Sequence, residues 1–145
     1  MTDETVKKPL SSYELAETDP LAEEDGRWFN DVLGPGSGVN VKLRRMTSKK
    51  SQAVLRRLQT EFRKFAKGGK LPDEITDKVI IAQLSEAVIV DWSGVIGKDG
   101  VAVPCTVENV TEIMTALPAF RLIVLQISIE LDAFRIEATE DVVKN

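Results

Sequence analysis

The 145 residues suffice for one domain with a substantial core, and 43 % hydrophobic and 29 % charged residues are ordinary for a globular protein. There is no histidine and the one cysteine is Cys105. This excludes an intramolecular disulfide, Ser-His and Cys-His catalytic pairs, and most zinc and haem sites, and it suits a reducing compartment. The net charge of −4 conceals a division: residues 1–31 hold nine acids and three bases, residues 42–70 eleven bases and one acid, residues 71–145 thirteen acids and five bases. A basic block between two acidic ones favours self-association or docking onto an acidic partner.

Residues 1–25 are polar and acidic, with Leu10, Tyr13, Leu15 and Leu21 as their large apolar groups. They are expected to form a flexible acidic arm with a short contact at most, and they contain no segment of signal-peptide type. A single, mostly helical domain is expected over 26–140, followed by a tail at 141–145. Trp28-Phe29 opens the domain as a weak first strand. Gly34-Pro35-Gly36-Ser37-Gly38 reads as a turn; it lacks the Lys-Ser/Thr of a phosphate loop. Val39, Val41 and Leu43 then alternate with polar residues, as in a half-buried strand.

Thr47 or Ser48 starts the first long helix, which Gly68-Gly69 ends. Val54, Leu55, Leu58, Phe62 and Phe65 share one face, and Lys49, Arg56, Arg63 and Lys67 point away from it, with Arg57 and Lys64 flanking. Pro72-Asp73-Glu74 opens a second helix, to about Val90, whose apolar arc is wide enough for a central position. A loop follows from Trp92 to Pro104. Trp92 stands at its mouth, Gly94 gives it backbone freedom, and Asp99-Gly100 makes a tight turn in a short hairpin or folded loop. Thr106 caps a third helix to about Leu117, and Pro118 separates it from a fourth, about Ala119 to Ala138. Phe120, Ile123, Ile127, Leu131 and Phe134 form the stripe of that last helix. Val124, Leu125 and Ile129 fall outside it, as if another subunit or partner covered them.

The expected fold is therefore mainly α: about four helices, a small N-terminal β-hairpin, and an ordered Trp/Gly loop between helices 2 and 3. The apolar runs Val79–Val90 and Phe120–Leu131 fall short of the roughly 20 residues of a membrane span. Asp91, Asp99 and Glu108 lack the spacing of a calcium loop. Cys105, beside Pro104 and without a histidine, suits a small buried apolar role. No catalytic residue, metal ligand or cofactor site emerges. The candidate partner-binding residues are Arg56, Arg57, Arg63, Lys64 and Lys67 on the basic face and Val124, Leu125 and Ile129 on the apolar one. A basic helix gains affinity for nucleic acid by counterion release, but Phe62 and Phe65 lie on its apolar side, where they do not stack with bases. A solvated or protein-binding face is the alternative.

Taken in order, several features resemble the tail assembly chaperones of long-tailed bacteriophages. They are the Val39–Arg45 strand leading into Thr47-Ser48-Lys49-Lys50, Leu71-Pro72-Asp73-Glu74, Val90-Asp91-Trp92-Ser93-Gly94-Val95, and the Lys98-Asp99-Gly100 turn. Val103-Pro104, Thr106, Glu108-Asn109, Leu117-Pro118 and Phe134 complete the set. The resemblance spans about Trp28 to Phe134. It implies a mostly helical, non-enzymatic protein of the host cytoplasm without a cofactor. That protein would bind the tape-measure protein, with the major tail-tube protein as a second partner, while the tube assembles around it. It also implies absence from the mature virion and a longer form made by ribosomal frameshifting. The other readings are a virion component, such as a head–tail connector or tail-terminating protein, and a small nucleic-acid-binding protein. The charge division and surplus apolar surface further suggest a homo-oligomer, copies stacking head to tail with the basic helix of one against an acidic surface of the next.

Overall fold

The alternation over Asn40–Leu43 is that of a strand with one face in the core: Val41 and Leu43 are fully buried, Asn40 and Lys42 half-buried. The computed structural model describes residues 9–137 apart from 67. In it this segment (β2) is the middle strand of an antiparallel sheet, between β1 (Arg27–Phe29) and β3 (Ile89–Ser93). Phe29 stands opposite Val41 on one side, and Trp92 opposite Val41 on the other. The register slips between Lys42 and Leu43, where Leu43 faces Ile89.

Among the described residues there are six α-helices: α1 (Ser12–Ala16), α2 (Pro20–Asp25), α3 (Lys49–Glu61), α4 (Asp73–Gln83), α5 (Val107–Ala116) and α6 (Pro118–Ile129). Six helices and a three-stranded sheet make the fold mixed α/β. This overturns the expected mainly α fold with a hairpin alone.

The end of α4 supplies the reason. After Gln83 the helix widens into a π turn over Leu84–Val88, and at Ile89 the backbone becomes extended. The carbonyls freed at this exit are met by Arg44. Its side chain donates to Ala87 O (2.8 Å) and its backbone N–H to Val88 O (2.8 Å). The apolar run expected to stay helical to Val90 thus changes to strand at Ile89, and β2 accepts it. Trp92, expected at a loop mouth, is buried within β3, and its indole N–H donates to Val103 O at 2.7 Å.

Two other boundaries move. Ser48 caps α3 as expected, but the helix ends at Glu61 and a 3-10 turn over Arg63–Phe65 follows, short of Gly68. The fourth long helix, α6, ends at Ile129, because Glu130 turns extended. Phe134 is then buried from a 3-10 turn, 5.8 Å from the ring of Phe29.

The sheet, the π turn, α5 and α6 enclose the main core. Its fully buried Val41, Leu43, Leu84, Val88, Met114 and Val124 contribute about 1.5–3 kcal/mol each relative to exposure. A smaller cluster of Val54, Leu58, Val79 and Ala87 lies between α3 and α4.

The stretch expected as a flexible arm instead holds α1, with a Ser11–Glu14 capping box, and α2, capped by Asp19. Asp19 N–H donates to Phe134 O (2.7 Å), and the Arg27 guanidinium to Ala133 O and Arg135 O (both 2.9 Å). Residues 1–8, Lys67, residues 138–140 and the expected tail at 141–145 lie outside the described residues.

Candidate partner-binding surfaces

The basic block divides in two. Its start is engaged inside the chain by α2, through one ion pair and two hydrogen bonds to Glu24. Arg45 pairs with Glu23 at 2.5 Å, Arg44 donates to Glu24 O at 2.6 Å, and the Glu24 carboxylate accepts the Lys49 N–H at 3.0 Å. That last contact places a negative charge at the N-terminus of α3, where the helix dipole favours it. Farther along α3, Arg57 donates to Glu86 at 2.9 Å, and the hydrogen bond and charge of that carboxylate raise the arginine pKa. Arg56, Arg63 and Lys64 are exposed, and the Lys64 ammonium lies 5.2 Å from the centre of the Phe65 ring. Lys67 lies outside the described residues. Of the candidate basic residues Arg56, Arg63 and Lys64 therefore stay exposed with a half-engaged Arg57, beside the exposed Lys49 and Lys50 at the start of α3. Sequence reasoning missed the roles of Glu23, Glu24, Arg44 and Arg45, since nothing in their spacing shows that the acidic stretch folds back.

The apolar candidates on α6 are only partly brought together. Val124 points inward at 0 % exposure and belongs to the core, which corrects its assignment to a partner-binding face. Leu125 is half-buried and Ile129 is 53 % exposed. Leu122, also 53 % exposed, joins them: 122, 125 and 129 are spaced i, i+3 and i+7, one stripe on the outer side of the helix. Phe120, Val124 and Ser128 occupy the opposite side. The signal for Leu122 was in the sequence, in that spacing.

A third feature had no sequence signal. A groove of about 740 Å³ lies between α4 and α5, lined by Ile81, Ala82 and Val107 and by Pro118 and Arg121 at the start of α6. Glu74 and Asp77 stand on its α4 wall, Thr111 and Thr115 on its α5 wall.

The loop after β3 is structural. Gly97 N–H donates to Val101 O and Val103 N–H to Val95 O, both 2.9 Å, so residues 95–103 close as a hairpin with Asp99 and Gly100 in its turn. Thr106 caps α5 through the Asn109 N–H at 3.1 Å, and the Asn109 side chain holds Pro104 O at 3.0 Å. Cys105 lies on the edge of the core, where burial first and the charge of Asp91 second push its thiol up to about 11. At neutral pH it is a thiol, not a nucleophile. Among the described residues no group of three Cys, Asp or Glu converges as metal ligands. Among the described residues no single helix is long and apolar enough to cross a membrane.

The class defined by these features is a small mixed α/β domain whose described residues carry an apolar stripe on α6, a basic face on α3 and a groove between α4 and α5. The family model of the YdaY prophage protein matches residues 46–145, from Met46 shortly after β2 onward, and the chain belongs to that family. It is thus a phage-derived protein. Neither a curated protein nor a solved structure matches the chain.

Proposed function

We propose that this prophage protein is a non-enzymatic tail assembly chaperone, which binds the tape-measure protein in the host cytoplasm and leaves before the virion matures. The observation that carries the reading is the outward stripe of Leu122, Leu125 and Ile129 on α6. A factor that shields a long helical protein needs apolar side chains open on one face, spaced to meet an amphipathic helix, and needs no reacting group. The exposed Arg56, Arg63 and Lys64 add orientation more than affinity, since exposed charge pairs are worth about 0–1 kcal/mol each. The phage origin and the ordered motifs from Val39 to Phe134 support the same reading.

Co-expression with the tape-measure protein of the same phage tests it. Tagged wild-type chain is expected to capture that protein, and Leu122→Glu/Ile129→Glu to lose at least tenfold of the capture with an unchanged circular dichroism spectrum. Failure of the wild type to capture it would sink the proposal. Detection of the chain in purified particles would favour a head–tail connector or tail-terminating role instead.

A further inference from the structure

We propose that the exposed face of α3, with the 3-10 turn after it, binds single-stranded nucleic acid through its phosphates, with one base stacked on Phe65. The inference does not rest on the chaperone reading, whose apolar stripe lies on α6. Lys49, Lys50, Arg56, Arg63 and Lys64 are exposed and make no ion pair among the described residues. Of the acids that contact α3, Glu24 accepts the Lys49 N–H and Glu86 holds Arg57. Asp73 and Glu74, at the start of the neighbouring α4, pair with none of the five. Within residues 42–70 the one acid set against them is Glu61. The charge is therefore one-sided and selects a polyanion.

The rest of the face favours nucleic acid over an acidic protein. Apart from its bases, the exposed residues of α3 are Ala53, Gln59, Thr60 and Glu61, with no large apolar side chain among them. A protein partner anchors on apolar or aromatic groups that become buried, and the helix offers none outward. Nucleic acid needs no such anchor, because its affinity comes from the counterions released as bases meet phosphates. Acids elsewhere in the chain oppose it weakly, since physiological salt screens charges beyond about 8 Å.

The end of the face supplies the stacking contact. α3 stops at Glu61, so Phe65, expected on the apolar side of the helix, sits instead in the turn over Arg63–Phe65 at 42 % exposure. Phe62, half-buried at the margin of the smaller core, backs its ring at 6.0 Å between centres. The Lys64 ammonium lies 5.2 Å from the centre of the Phe65 ring, beside the phosphate of any base stacked there. Stacking on a side chain takes an unpaired base, which chooses a single strand over a duplex.

Fluorescence anisotropy with a labelled oligothymidylate of about 20 nucleotides, over about 50–200 mM salt, tests the proposal. Five phosphate contacts predict that log K falls against log salt with a slope of about −3.5, at about −0.7 per contact. Arg56→Gln/Arg63→Gln is expected to bind more weakly and to flatten that slope by about 1.4, a change that loss of fold alone does not produce. Phe65→Ala is expected to weaken binding by about fivefold or more with the slope unchanged. Leu122→Glu/Ile129→Glu is expected to bind as wild type does, which separates this proposal from the chaperone reading. No binding at about 50 mM salt, an unchanged slope in the arginine variant, or unchanged affinity in Phe65→Ala overturns the proposal. So does polyglutamate of the same charge that displaces the oligonucleotide at equal concentration, since an acidic protein segment would then be the ligand.

Discussion

At the centre of the main core Leu43, Leu84, Val88, Met114 and Val124 are 0 % exposed, with Ile81, Ile89, Trp92 and Val95 at 6–8 % around them, whereas in the smaller cluster only Ala87 falls to 1 % and Leu58, Val79 and Val54 retain 6–9 %. The first cluster is closed by strands on one side and by α5 and α6 on another. The second is a single helix–helix seam, with half-buried Leu55 and Phe62 at its margin and solvent beyond. Among the described residues, twelve buried apolar residues in the first cluster and four in the second thus have unequal protection, because enclosure from several directions excludes water and one facing seam does not. The outer end of α3, which carries the remaining basic face, is the part of the domain expected to open first.

The widest separation should come from truncating one leucine in each cluster. Leu84→Ala leaves a cavity with no solvent access, costing about 2–5 kcal/mol, with the upper half of that range expected. Leu58→Ala at the seam should fall in the lower half, since neighbours and water can fill the space. Urea denaturation of both variants decides the matter, and equal losses would erase the distinction between the clusters.

A smaller effect should separate two glycines of the loop beside β3. Both have left-handed backbone, with φ of +76° at Gly94 and +80° at Gly100. A Cβ on Gly94 would lie 1.9 Å from the carbonyl oxygen of Gly38, whereas one on Gly100 meets nothing within 4 Å. Gly100→Ala should cost about 1 kcal/mol of backbone strain and Gly94→Ala about 2–3 kcal/mol, because the β3 end must also draw away from the Gly34–Gly38 turn. Thermal melting of the pair reads the difference.

The smallest effect is chemical. With its pKa pushed from 9.0 to about 11, Cys105 holds about 100-fold less thiolate at pH 8 than an unperturbed cysteine. Alkylation by iodoacetamide should be slower by about that factor and rise tenfold per pH unit until about pH 11. A rate equal to that of a free thiol at pH 8 would show that this edge of the main core opens as readily as the seam.

Side-chain pattern alone carried the sequence reading a long way. The period-2 run at Val41–Leu43, the Ser48 and Thr106 caps, the Pro72 and Pro118 starts and the hairpin at Asp99-Gly100 are all local signals, and each stands where expected. β3 failed for a different reason. Ile89, Val90 and Trp92 continue an apolar run that fits either period, and the change at Val88 depends on Arg44, far away in sequence, taking up the freed carbonyls. α6 was read too long because Leu131 and Phe134 stay in phase with its stripe, although Phe134 is buried against Phe29 from outside the helix. Of the candidate surfaces, Leu125, Ile129 and the α3 arginines were legible from periodicity. Val124 was misassigned for want of knowing that the sheet side of α6 is wide enough to bury it, and the groove depends on how α4 lies beside α5.

The order of synthesis gives the sheet a further consequence. β1 and β2 leave the ribosome as neighbours, but β2 completes its ladder only with residues about fifty positions later, Val41 with Trp92 and Leu43 with Ile89. At about 5–20 residues per second, about 3–10 s pass with the apolar side of that hairpin uncovered and one edge open. Glu23 and Glu24 are made before the arginines they engage, so Arg45 has the Glu23 carboxylate and Arg44 the Glu24 backbone carbonyl available as soon as they emerge. A nascent chain that waits on a distant strand therefore has its basic junction engaged early, while its two apolar side chains wait for residues 89–93.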